Sequence, residues 1–142
     1  MYRAAIFDMD GTLLNTLEDL ADSVNEMLEH YGRPRRTIDE VRIFVGNGAR
    51  KLMERALETT DEKFVSEALE YYNGCYARHL TNKTVAYAGI IELLKNLNAK
   101  KIPIGICTNK QHFAAVALAE KIFARIEIGA VTGDAKKPNP AT

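Results

Sequence analysis

Two aspartates lie directly after the first apolar stretch of the chain, and they constrain the fold more than any other feature. Residues 4–7 are apolar and are followed by Asp8, Asp10 and Gly11. Residues i and i+2 of a strand point the same way, so both carboxylates are expected on one side of the strand's carboxyl end. Ligands bind at this end of the strands in open parallel α/β sheets. Because two close carboxylates repel each other, the pair predicts either a bound cation or a shared proton, and Mg²⁺, which prefers oxygen ligands, is the usual solution.

The composition excludes several classes of protein. The chain has 142 residues, of which 46% are hydrophobic and 27% charged, an ordinary globular composition. Its formal net charge of zero and lack of a basic tail argue against nucleic-acid binding. The sequence contains no apolar run long enough to span a membrane and no signal-peptide pattern. Its two cysteines, Cys75 and Cys107, form no disulfide framework, so a cytoplasmic location is expected.

Between residues 15 and 84 the apolar side chains repeat at the spacing of amphipathic helices. Capping boxes are predicted at Thr16 with Asp19 and at Thr37 with Glu40. Four helices joined by short loops indicate a small bundle, which we expect to lie over the strand ends as a cap. The predicted helices cover residues 17–31, 38–45, 49–57 and 61–80.

The rest of the chain alternates between helices and strands. Helices are predicted over residues 89–98 and 111–121, and strands over 102–107 and 126–131. Right-handed crossovers place such strands in one parallel sheet. The predicted class is therefore α/β, a Rossmann-like parallel sheet with an inserted α-helical bundle. Residues 1–14 and 85–142 would form the sheet domain, and residues 15–84 the inserted domain.

Polar residues also follow the other two predicted strands. Thr108 and Asn109 precede a helix, where backbone N–H groups can bind an anion, although taken alone these residues are better explained as an ordinary helix cap. Lys137 stands beside Pro138, which stiffens the loop. A lone loop lysine is usually solvated. Together with Asp8, however, these residues occur at the ends of three successive strands, and this co-occurrence predicts one phosphate-handling site.

This series of motifs resembles that of the haloacid-dehalogenase-like phosphatases. The resemblance rests on Asp-x-Asp-Gly-Thr beginning at Asp8, on Thr-Asn at Thr108, and on a lysine before proline. It implies that Asp8 is the nucleophile, that Asp10 is the general acid and base, and that both help to bind Mg²⁺. It further implies that Thr108 and the Asn109 backbone bind phosphate. Lys137 would then neutralise Asp8 and the transferring phosphoryl group.

Residues 16–57, and above all the segment 44–50, resemble the helical cap of bacterial phosphoglycolate phosphatases. Gly46 and Gly48, which flank Asn47, allow the backbone to approach a small ligand. Arg50 could hold a substrate carboxylate by a two-pronged bond. The alternative is a glycine-rich loop between helices with a surface arginine. The resemblance implies a small phosphorylated metabolite as substrate, with 2-phosphoglycolate as the first choice.

One departure from the family pattern is serious. The family's fourth motif, a Gly-Asp pair with a further aspartate, supplies Mg²⁺ ligands after the next strand. Gly133 and Asp134 do not match it, because they precede the Lys-Pro loop. We therefore expect a C-terminally truncated phosphatase that binds Mg²⁺ weakly and has little or no activity until the missing segment is added.

Other functions remain open at this point. A pyrophosphatase or a sugar-phosphate mutase of the same superfamily is the nearest alternative. A non-catalytic binding or dimerisation module that retains the scaffold is another. In either case, the uncovered edge of the predicted sheet favours pairing with a second copy as a homodimer. A receiver-like phosphoacceptor also becomes phosphorylated on an aspartate beside Mg²⁺. In that class, however, the acceptor aspartate lies on a central strand after an acidic pair, whereas Asp8 and Asp10 follow the first strand of this sequence.

Overall fold

The computed structural model describes residues 4–134 and confirms the α/β class. Two compact units are formed, one by residues 4–15 with 85–134 and the other by residues 16–84. Every helix in the described part is too short or too polar to cross a bilayer. The strands are β1 (Ala5–Phe7), β2 (Leu14–Asn15), β3 (Val85–Ala86), β4 (Ile104–Cys107) and β5 (Ala130–Thr132). The helices are α1 (Leu17–His30), α2 (Ile38–Phe44), α3 (Ala49–Leu57), α4 (Glu62–His79), α5 (Ile90–Ala99) and α6 (His112–Ile122).

The first unit is built on a three-stranded parallel sheet in the order β1-β4-β5. The parallel sheet predicted from the sequence is thus confirmed. Phe7 pairs with Ile106, and Ile106 pairs in turn with Val131. The carboxyl ends of the three strands therefore lie side by side, which brings together the loops that follow them.

The two faces of this sheet are covered unequally. The chain moves from β1 to β4 to β5 in one direction, and right-handed crossovers of that kind put α5 and α6 on the same face. The other face carries Ile6, Gly105 and Ala130 in register. Ile6 is 74% exposed there, so neither α5 nor α6 covers this face.

The third strand of the parallel sheet, β5, is shorter than the sequence predicts. The prediction began it at residue 126, but β5 begins at Ala130. The side chain of Asn98 bonds both the N–H and the C=O of Glu127, at 2.8 and 3.0 Å, so these groups are not available to a sheet. The ladder starts only where the N–H of Gly129 reaches the carbonyl of Ile104, at 2.8 Å.

A small antiparallel pair of strands was not predicted. Leu14 pairs with Ala86 and Asn15 with Val85, which makes a two-stranded sheet of β2 and β3 within the first unit. Each strand has only two residues, which is too short for an alternating apolar pattern to reveal.

The second unit consists of α1–α4, whose apolar stripes pack on one another. Its fully buried side chains include Val24, Met27 and Leu28 of α1, Met53 of α3, and Val65 and Cys75 of α4. Burial raises the pKa of the Cys75 thiol, in keeping with a core position.

One of the two predicted helix caps is confirmed and the other is wrong. The Thr37 hydroxyl accepts the Glu40 N–H, while the Glu40 carboxylate accepts the Thr37 N–H. Thr16 begins α1 without a side-chain capping bond. The carboxylate of Asp19, its predicted partner, instead accepts from the N–H of Lys83 and the hydroxyl of Thr84. Asp19 therefore ties the end of this unit back to its start.

The ion pairs between α1 and α4 make a pH-dependent contribution to stability. The Glu26 carboxylate pairs with His79 Nε2 at 2.7 Å and with the Arg78 guanidinium. The hydrogen bond with His79 is the main cause that lowers the pKa of Glu26 below 4.5. A lowered carboxyl pKa stabilises the fold above the unfolded value, and this contribution is lost as pH falls through the folded pKa.

Replacing Glu26 by Gln is expected to lower the free energy of unfolding by about 1 kcal/mol at pH 7. The loss is small because solvent screens these partly exposed ion pairs. The variant should also lose less stability than the wild type on acidification from about pH 5 to pH 3. Urea unfolding followed by circular dichroism measures both quantities. Glu29→Gln, at an exposed position of the same helix, is the matched control. Parallel pH curves for wild type and Glu26→Gln would contradict the expectation.

Candidate active site

A tight turn after β1 holds the two predicted carboxylates. The carbonyl of Met9 accepts the N–H groups of residues 12–14 at 3.3, 3.0 and 3.0 Å. Met9 itself is fully buried, and Gly11 has a φ of +76°, a conformation that L side chains rarely adopt. This turn leaves Asp8 and Asp10 half-buried at the carboxyl end of β1.

Each carboxylate has a defined contact. Oδ1 of Asp8 accepts the N–H of Met9 at 2.7 Å. Oδ2 of Asp10 lies 3.2 Å from the ammonium nitrogen of Lys110, whose side chain is only 5% exposed. The sequence motifs did not predict a role for Lys110. Its position directly after Thr108-Asn109, in a loop predicted to face the carboxylates, is the signal that could have identified it.

The loop after β4 is held by Thr108, which is fully buried. The Thr108 N–H donates to the carbonyl of Thr132 at 3.0 Å, so the loop continues the ladder to β5. The Thr108 hydroxyl accepts the N–H of Lys110 at 3.1 Å. The hydroxyl predicted to bind phosphate thus also shapes the turn that carries Lys110.

The start of the loop after β5 is clamped to the first turn of α6. Asp134 donates its N–H to the Lys110 carbonyl at 2.7 Å, and its carboxylate accepts the N–H of His112 at 3.0 Å. Gly133 donates its N–H to His112 Nδ1 at 3.1 Å. A Cβ on Gly133 would lie 2.2 Å from the Cα of His112, so only glycine fits. Gly133 and Asp134 therefore join two loops, a structural role distinct from the family's metal motif.

The carboxylates supply the hard oxygen ligands that Mg²⁺ prefers. Within residues 4–134, no group of three or more His, Cys, Asp or Glu side chains is placed to hold a metal ion. Mg²⁺ usually keeps several waters and takes one or two carboxylates together with substrate phosphate oxygens. Asp8 and Asp10 fit that smaller requirement.

The remaining predicted site residues lie in the second unit or in the part of the chain that the structure does not describe. Lys137 lies outside the described residues. Gly46, Asn47 and Gly48 join α2 to α3 in the second unit, with Gly48 at a φ of +88°. The Arg50 guanidinium donates to the Ser66 hydroxyl at 3.0 Å and to a backbone carbonyl of α4 at 3.3 Å. Substrate binding by these residues stays a prediction.

Comparison with known proteins decides the family. The family model for haloacid dehalogenase-like hydrolases matches residues 5–142. The chain belongs to the haloacid dehalogenase-like hydrolase family. The resemblance seen in the sequence motifs is thereby confirmed.

Related members of the haloacid dehalogenase-like family are phosphatases by name. The phosphoglycolate phosphatase of Pseudomonas savastanoi pv. phaseolicola is 38% identical over 98% of this chain and 54% of its own length. That of Pseudomonas syringae pv. tomato is 40% identical over 96% and 53%. A crystal structure of a predicted phosphoglycolate phosphatase from Haemophilus somnus has a TM-score of 0.88 at 25% identity, covering 97% of this chain and 65% of that one. The chain thus spans about half the length of these two curated relatives.

Proposed function

We propose that this chain carries the phosphoryl-transfer site of a Mg²⁺-dependent phosphomonoester hydrolase. The observation that supports it most is the pair of Asp10 and buried Lys110 beside Asp8, at the adjoining ends of two parallel strands. Family membership adds that this arrangement belongs to a hydrolase. The proposal assigns Asp8 as nucleophile and Asp10 as general acid and base.

The first half-reaction transfers the phosphoryl group to the protein. An Asp8 carboxylate oxygen forms a bond to phosphorus while the bond between phosphorus and the ester oxygen breaks. The departing oxygen takes a proton from the Asp10 carboxyl group, so an alcohol leaves. The product is an aspartyl-phosphate on Asp8.

The second half-reaction returns the protein to its starting state. A water oxygen forms a bond to phosphorus, and the bond between phosphorus and the Asp8 oxygen breaks to release inorganic phosphate. The water proton goes to Asp10, which restores its carboxyl group. Mg²⁺ held by Asp8 and Asp10 would offset charge on the phosphoryl oxygens, together with Thr108 and, in this proposal, Lys137.

The proposed substrate is a small phosphorylated metabolite, with 2-phosphoglycolate first. The support comes from the names of relatives at 38–40% identity. In the second unit, the guanidinium of Arg50 is bonded to α4, so recognition of a carboxylate by this residue requires it to exchange those partners. Location in the cytoplasm and pairing of sheet edges between two copies both remain predictions.

The decisive experiment compares two proteins. One is the 142-residue chain, and the other is the same chain extended by the C-terminal portion of the Pseudomonas savastanoi relative, called here the extended protein. We expect the extended protein to release phosphate from 2-phosphoglycolate with Mg²⁺, and the 142-residue chain to be at least about a hundredfold slower, because the fourth motif's ligands are lacking.

A panel of phosphate esters and pyrophosphate tests the substrate class. Preference for pyrophosphate, or release of a phosphorylated isomer in place of inorganic phosphate, would replace the proposal by a pyrophosphatase or a mutase. If the extended protein hydrolyses no phosphate compound while its circular dichroism shows a folded chain, the enzyme proposal is wrong.

A further inference from the structure

Lys110 supports an inference that rests on the proposed function and extends it. Lysine is among the residues least often buried, yet Lys110 is only 7% exposed. A buried ammonium is costly unless it is paired. Here its partner is Oδ2 of Asp10, 3.2 Å away, so the buried charge is compensated by the proposed acid and base.

The backbone of Lys110 is fixed from both sides. Its N–H donates to the buried hydroxyl of Thr108 at 3.1 Å, and its C=O accepts the N–H of Asp134 at 2.7 Å. These bonds come from two different loops, one after β4 and one after β5. The ammonium is therefore held by a rigid main chain as well as by its ionic partner.

We propose that Lys110 is a positioning residue that fixes the Asp10 carboxylate for the hydrolysis of the aspartyl-phosphate. In that step Asp10 takes the proton of the water that attacks phosphorus. The efficiency of such a transfer depends on the placement of the acceptor oxygen, and a displacement of about 1 Å costs on the order of a hundredfold in rate. Lys110 contacts Asp10 and acts through it.

The test uses Lys110→Met in the extended protein with p-nitrophenyl phosphate, whose leaving group needs no proton from Asp10. We expect kcat and KM to fall together by about 10- to 100-fold, because hydrolysis of the intermediate becomes slower. The ratio kcat/KM, which reports the first half-reaction, should stay within about threefold of the wild type. Acid quenching followed by intact mass spectrometry should show a larger steady-state fraction of phosphorylated protein.

Two further variants make the result specific. Lys121→Met removes an exposed lysine from α6 and should behave as the wild type. Lys110→Gln, which loses only the charge and some length, should show the same accumulation as Lys110→Met. With Asp10→Asn already present, Lys110→Met should have little further effect, since the two residues act as a unit.

Several results would overturn the inference. One is an equal fall of kcat and kcat/KM in Lys110→Met without accumulation of phosphorylated protein. That result would indicate a general structural defect. Unchanged turnover in Lys110→Met is another. If both Lys110 variants lose the circular dichroism spectrum of the folded protein, Lys110 has a structural role in the core and no positioning role. Absence of turnover and of phosphorylated protein in the wild-type extended protein is a different failure, because it removes the proposed function itself.

Discussion

Replacing Asp8 with asparagine is expected to reduce phosphate release from the extended protein by about a thousandfold or more. Removal of a covalent nucleophile has effects of at least this order. The amide keeps the size and shape of the side chain and can still accept the N–H of Met9, so the turn after β1 should survive. No phosphorylated protein should form at any time in the reaction.

Measurement of inorganic phosphate and of the intact protein mass after acid quenching gives both results together. Asp39→Asn is the matched control, because Asp39 lies exposed in the first turn of α2. A variant Asp8→Asn that still forms an acid-stable phosphorylated protein would place the acceptor elsewhere and contradict the assignment of the nucleophile.

Replacing Asp19 with alanine is expected to destabilise the protein by about 3 kcal/mol. Asp19 is fully buried, and its carboxylate accepts the Lys83 N–H at 2.9 and 3.1 Å and the Thr84 hydroxyl at 2.7 Å. Alanine leaves the buried Thr84 hydroxyl and the Lys83 N–H without this acceptor. Leaving the hydrogen-bond partners of a buried charged group unsatisfied costs on the order of 3 kcal/mol.

Urea unfolding followed by circular dichroism measures the loss. Asp22→Ala is the control on the same helix, because Asp22 pairs with the exposed ammonium of Lys83 at 2.8 Å and its loss should cost much less. Asp19→Asn keeps one acceptor oxygen, so its free energy of unfolding should lie between those of Asp19→Ala and the wild type. Equal unfolding free energies for Asp19→Ala and Asp22→Ala would show that the buried carboxylate is not the anchor described here.

Local sequence signals predicted most of the fold. Strong apolar periodicity predicted α3 at Ala49–Leu57 with its observed ends. The capping box at Thr37 predicted the start of α2, because both of its hydrogen bonds lie within four residues. The predictions failed where residues distant in the sequence compete for the same hydrogen-bonding groups. Asp19 is bound by Lys83 and Thr84, and Asn98 occupies the backbone of Glu127, and neither pairing is visible in a local pattern.

Only part of the candidate site was predicted, because the rest depends on residues that are distant in the sequence. Motif spacing predicted that Asp8, Asp10 and Thr108 follow strands, and in the structure they do follow β1 and β4. The pairing of Lys110 with Asp10 joins residues a hundred positions apart in sequence. A loop lysine is usually solvated. The position of Lys110 after Thr108-Asn109 could suggest a role in the site, but its pairing with Asp10 becomes visible only from the register of the two strands.

The clamp between the loops after β4 and β5 has an energetic consequence for ligand affinity. Gly133 and Asp134 bind Lys110 and His112 through backbone and side chain, so these segments are already ordered as a pair. Fixing the backbone of a residue costs on the order of 1 kcal/mol in entropy. For these loops that entropy is lost when the chain folds. Under the proposed function, a bound phosphate group would meet a preorganised surface, so less of its interaction energy would be offset by immobilising the protein.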